Sequence, residues 1–171
     1  MIARIEIRGD APVELFQLLP RLGLEAVLRE TDVVSCIDRR AEAASVGPAI
    51  ALRVMFGTNR AIGTGSSTAP TIAIAMGVVA NANDALTDFV TDSPMAAACF
   101  ILSNVLGLPS AILTGDERLF EVICSAIALA RGLATVLVEG EIGVGKESLI
   151  KMIHAASGDS TNLASRPAHS A

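Results

Sequence analysis

The chain has 171 residues, 51% of them hydrophobic and 18% charged, which excludes disorder over most of its length. Its net charge of −5 and pI of about 5.0 lack the basic stripe of a nucleic-acid binder. Mean hydropathy of +0.55 raises the question of a membrane, but the longest apolar run, Ala69–Ala80, is broken by Pro70 and Gly77 and falls short of the roughly 20 residues that span a bilayer.

In chain order, residues 2–8 alternate apolar and charged side chains, the pattern of a strand. The same charges exclude the apolar core of a signal peptide. Asp10 and Pro12 mark a helix start, with Asp10 near the cap. Val13, Leu15, Phe16, Leu18, Leu19 and Leu22 give that helix an apolar face, Pro20 threatens an early end, and Gly23 closes it. Glu25–Glu30 reads as a second strand. Thr31 or Asp32 caps a helix running to about Val46, before Gly47-Pro48. Ala49–Phe56 is strand-like, Gly57–Ala69 is loop-like, and Pro70–Met76 is a continuous apolar strand. A helix starts over Asn81–Leu86, and Asp88–Val90 is a brief strand. Ser93-Pro94 opens a helix that reaches about Leu106, with Gly107 at its end. Strands alternating with helices imply a parallel sheet covered on both faces, of the size and element order of a flavodoxin-like or receiver domain.

Leu108–Gly115 reads as a linker. The next helix, Asp116–Arg131, places Leu119, Val122, Ile123, Ala126, Ile127 and Ala130 on one face. Ala134–Val138 reads as a buried strand. A glycine-rich turn follows, then a helix from about Gly145 to Ala156. Residues 158–171 are small and polar and read as a disordered tail.

The chemistry-bearing run is Gly140-Glu141-Ile142-Gly143-Val144-Gly145-Lys146-Glu147, between that strand and that helix. The spacing Gly-x-x-x-x-Gly-Lys is that of a phosphate-cradling loop. Its glycines let backbone N–H groups turn inward around an anion. The helix N-terminus adds its dipole and free N–H groups, and Lys146 brings a positive charge to the outer phosphates. The Mg²⁺-binding Ser or Thr usual after the lysine is replaced by Glu147. A bare strand–turn–helix connection is the plain alternative.

Other residues have plain readings. Cys36, Cys99 and Cys124 are odd in number and widely spaced, and only His154 and His169 accompany them. Zinc and a disulfide framework are not expected, each cysteine reads as a small buried hydrophobe, and a reducing cytoplasm fits. With no Trp or Tyr and five Phe, stacking platforms for single-stranded nucleic acid are nearly absent. His154 reads as a packing or capping residue, and Lys151, Glu14, Glu25 and Glu30 as solvated charges.

The run Gly140-Glu141-x-Gly143-x-Gly145-Lys146-Glu147, followed by Ile153-His154 and Ser157, resembles the Walker A segment of the sigma-54-interacting AAA+ activators, the bacterial enhancer-binding proteins. Ile142 and Val144 stand where that family has Ser and Thr. The resemblance covers about residues 110–157. It implies ATP contact through Gly140, Glu141, Gly143, Val144, Gly145, Lys146 and Glu147, with Mg²⁺ only alongside nucleotide. A receiver often precedes the ATPase in that family. A working receiver has carboxylates after its first and third strands and a Lys after its fifth. Here Asp10 lies late after the first strand, the third ends Val54-Met55-Phe56-Gly57, and Thr91-Asp92-Ser93-Pro94 follows the fifth.

The expected architecture is therefore α/β. A degenerate receiver-like, flavodoxin-like parallel sheet spans 1–107, with a linker over 108–115, a truncated P-loop AAA+ segment over 116–157 and a tail over 158–171. No match is found to a Walker B pair, the sigma-54-contacting loop, arginine fingers, lid or helix-turn-helix, so a complete nucleotide-driven machine is not expected at this length. The resemblance implies a noncatalytic regulator of sigma-54-dependent transcription. Its expected partner is a full-length activator or the transcription machinery, with homo- or hetero-oligomers and no direct DNA or membrane contact. The alternatives are a small P-loop ATPase and an activator remnant without independent function.

Overall fold

Alternating side chains form the first strand, β1 (Ala3–Gly9). The computed structural model describes residues 3–28, 50–56, 69–77, 88–108, 112–132 and 135–158. Helix α1 (Val13–Leu18) follows, then a 3-10 turn over Leu19–Leu22. Pro20 has no N–H for the α-helical ladder, so the α-helix stops ahead of it. Asp10 does not cap α1. Pro12 holds the N-cap position, with no side-chain cap bond. The Ala11 N–H turns back to donate to Gly9 O and leaves Asp10 exposed directly behind β1. Asp10 thus lies at the strand end, and not late as its sequence position suggested.

Four more strands complete the sheet: β2 (Leu24–Leu28), β3 (Ile50–Phe56), β4 (Thr71–Met76) and β5 (Phe89–Thr91). All pair in parallel, in the order β2-β1-β3-β4-β5. The order reverses between β1 and β3, as in doubly wound sheets. The helix expected over 32–46, the loop from Gly57, the helix from Asn81 and the tail past Gly158 lie outside the described residues.

Strand register sorts the two faces. Ile5 lies opposite Leu52 and Ile7 opposite Val54, while Glu6 lies opposite Arg53. Ile5, Ile7, Leu52, Val54, Ile72 and Ile74 join α1 and the helix α2 (Pro94–Val105) in one apolar core. On the reverse face Ala73, Ala75 and Glu6 are also buried. The centre of the sheet is thus covered on both sides, as the apolar composition implied. Ser93 caps α2 by accepting from Ala96 N–H, and Pro94 fills its first turn, a position that needs no N–H.

The described residues of the expected linker, 108 and 112–115, lie beside this core. Leu108 and Ile112 lie against it, Thr114 is buried, and Gly115 abuts Ser93. Asp116 then caps α3 (Glu117–Ala130) by accepting from Leu119 N–H at 2.9 Å. The inward stripe of α3 is Phe120, Ile123, Cys124, Ala126, Ile127 and Ala130. Leu119 and Val122, expected in that stripe, are 40% and 48% exposed. The helix docks on the Leu19–Leu22 turn, and this contact rotates Phe120 and Cys124 inward. Arg21 lies over the Phe120 ring and pairs with Glu121. Arg131 donates to Leu22 O at 3.1 Å and Gly23 O at 3.3 Å.

The buried strand expected over Ala134–Val138 is corrected. Residues 135–141 take no strand pairing, and Leu137 is 79% exposed. A parallel strand needs neighbours to pair its N–H and C=O groups, and all five strands of the described sheet lie elsewhere. The final helix, α4 (Lys146–Ser157), packs on α3 and buries Met152. No helix among the described residues is long and apolar enough to cross a membrane.

Candidate functional site

Residues 140–147 form the turn that enters α4. Gly143 and Gly145 have φ of +87° and +89°, left-handed values that side-chain-bearing residues rarely adopt. Gly145 is the N-cap residue of α4, and its carbonyl accepts the first helical bond, from Leu149 N–H at 3.1 Å. The N–H groups of Lys146, Glu147 and Ser148 belong to the first turn, where an α-helix supplies no partner. They and the helix dipole make this end attractive to an anion.

The candidate side chains do not all converge. Lys146 folds back over the turn, and its Nζ donates to Gly140 O at 2.7 Å and to Glu141 O. These bonds close the run from Gly140 to Lys146 into a compact loop. Glu147 turns away to accept from Lys151 one helical turn on, at 2.7 Å. The hydrogen bond and charge of Lys151 hold the Glu147 carboxyl below the usual carboxylate range, so Glu147 is ionised at neutral pH. Glu141 and Val144 are exposed, and Ile142 projects fully into solvent. Among the described residues no group of three or more His, Cys, Asp or Glu could hold a metal ion.

A cleft of about 470 Å³ opens beside Lys146, walled by Ile112, Leu119, Val122, Val138 and Leu149 among others. Sequence reading missed it. The signal lay in the assignment of Leu119 and Val122 to the core: the helix has apolar residues on more of its circumference than one packing face uses, and the surplus lines the cleft.

The remaining candidates have structural roles. Ser157 Oγ donates to His154 O at 2.7 Å. Cys99 and Cys124 are buried thiols. Desolvation pushes Cys99 up to about 12 and raises Cys124 as well, the opposite of what a nucleophilic thiolate needs. Cys36 lies outside the described residues.

Residues 112–166 match the family model of the sigma-54 interaction domain. Over that short segment the chain is similar to the sigma-54-interacting AAA+ activators. It begins at the packed stretch before α3, encloses the 140–147 turn and runs past α4. No curated protein matches the chain, and no solved structure does.

Proposed function

We propose that this chain is a noncatalytic regulator of sigma-54-dependent transcription, with a degenerate receiver-like part over 1–107 and ATP contact at Gly140–Glu147. The observation that carries the reading is the sigma-54 interaction domain match over residues 112–166, which encloses the turn. The strand order β2-β1-β3-β4-β5 is the flavodoxin-like order and supports a receiver-like origin for the sheet. Asp10 stands behind β1, but β3 ends in Phe56 and no lysine follows β5 before α2. Aspartyl phosphorylation requires a carboxylate at the third strand end, so the receiver would be a docking element and not a phosphate acceptor.

The turn suits a phosphate chain through Gly143, Gly145 and the first N–H groups of α4, with the cleft alongside for an apolar ring. Lys146 would exchange its carbonyl partners for the outer phosphates. Glu139 and Glu141 flank the turn in sequence, and their repulsion would keep ATP affinity low unless Mg²⁺ accompanies the nucleotide. Hydrolysis requires a metal carboxylate, a group that orients water and an arginine for the developing charge.

The reading is tested by immobilising the chain and presenting a purified full-length sigma-54 activator, with and without MgATP, for the native protein and Lys146→Ala. The activator should be retained, and MgATP should change retention for the native chain alone. Failure to retain it under either condition would remove the regulatory reading. Retention indifferent to MgATP would remove the nucleotide part.

A further inference from the structure

β1 carries a charged pattern on the face opposite its apolar one. Arg4, Glu6 and Arg8 project away from Ile5 and Ile7, because successive side chains alternate across a strand. Register sets Arg53 of β3 beside Glu6, and Arg4, two residues before Glu6 on the same face, lies opposite Ile50 across a register shift. Glu6 is 1% exposed and accepts from Arg8 at 2.5 Å and from Arg53 at 3.4 Å. A buried carboxylate needs such partners to offset its desolvation.

The guanidiniums exceed what Glu6 can satisfy. The Nε atoms of Arg4 and Arg53 are both buried and have no hydrogen-bond partner among the described residues. An orphaned donor on a charged group is expensive, and in native proteins it commonly marks a bound water or ion. Glu25 of β2 lies opposite Arg4 in register but is exposed, so it does not quench the buried side of the cluster.

We infer that the reverse face of β1 and β3 binds a small free oxyanion of the phosphate class, held by Arg4 and Arg53. A planar guanidinium presents its donors in a fork that fits tetrahedral oxyanions. Two such cations around one dianion balance charge where a single carboxylate would not. The site is separate from the 140–147 turn: it uses strand side chains, where the turn would use backbone N–H groups and Lys146. It does not depend on the sigma-54 reading.

The test is calorimetric titration of the full chain with inorganic phosphate, using the native protein, Lys146→Ala, Arg4→Gln and Arg53→Lys. Circular dichroism checks that each variant is folded. Arg4→Gln leaves the Glu6 ion pairs with Arg8 and Arg53 in place, so it decides the question even where Arg53→Lys fails to fold. Saturable binding should survive in Lys146→Ala and weaken by about tenfold or more in Arg4→Gln. Absence of saturable binding overturns the inference. So does binding that disappears in Lys146→Ala while Arg4→Gln keeps full affinity.

Discussion

At Gly23 the limiting fact is the left-handed backbone, with a movable arginine close by. A Cβ there would lie 1.8 Å from the Arg131 guanidinium, and the backbone φ is +71°. Both constraints act together, because the same guanidinium bonds Leu22 O and Gly23 O. Gly23→Ala should therefore destabilise by about 1–3 kcal/mol or more, from strain and a displaced arginine together. Urea denaturation of the variant measures this. Arg131→Ala, which clears the space, should recover part of the Gly23→Ala loss in the double variant, a non-additivity expected of groups in contact. The sequence marked Gly23 as a helix stop. It gave no hint of an arginine arriving from residue 131, because that contact depends on where α3 docks.

Among the elements, the extended segment over 135–139 differs most from expectation. Its residues are apolar and β-branched, and in isolation Thr135-Val136-Leu137-Val138 is a convincing strand. Strand character, however, belongs to a pair and not to one segment. Val136 and Val138 are half-buried while Leu137 is exposed, so the alternation is kept and the ladder is missing. Amides 135–139 should exchange with solvent deuterium far faster than those of β1 and β3, which hydrogen–deuterium exchange by mass spectrometry reads directly. Protection equal to that of β1 would show that a strand partner covers the segment in solution. α3 makes the complementary point. Its start and end followed from Asp116 and the turn at Arg131-Gly132, which are local signals. Which of its apolar residues face inward was decided by the Leu19–Leu22 turn and by α4, both of which pack on it.

On the scale of the whole molecule, one core joins what the sequence divided. Phe120, Ile123, Ile127 and Met152 belong to the same cluster as Ile5, Leu22, Val54 and Ile101. The sheet and the segment related to the sigma-54 interaction domain are thus mechanically connected through α3. Phe120→Ala, which empties a fully buried ring position, should cost about 3–5 kcal/mol. It should lower the unfolding midpoint of both parts together, in a single transition. Two separated transitions, with only the later part of the chain affected, would show that the shared core does not couple them.

The sequence by itself determined the strands of the sheet, the helix caps at Ser93 and Asp116, the stop at Pro20, and the glycine-rich turn ahead of α4. These rest on interactions within a few residues: alternation, a capping oxygen, a missing N–H, a left-handed φ. Tertiary structure alone decided the pairing order of the sheet, the inward face of α3, the exposure of Leu137 and the cleft beside Lys146. It also brought Arg8 and Arg53 to Glu6. Each of these depends on which distant surface covers which, and a hydrophobic or charged side chain carries no record of its partner until the chain has packed.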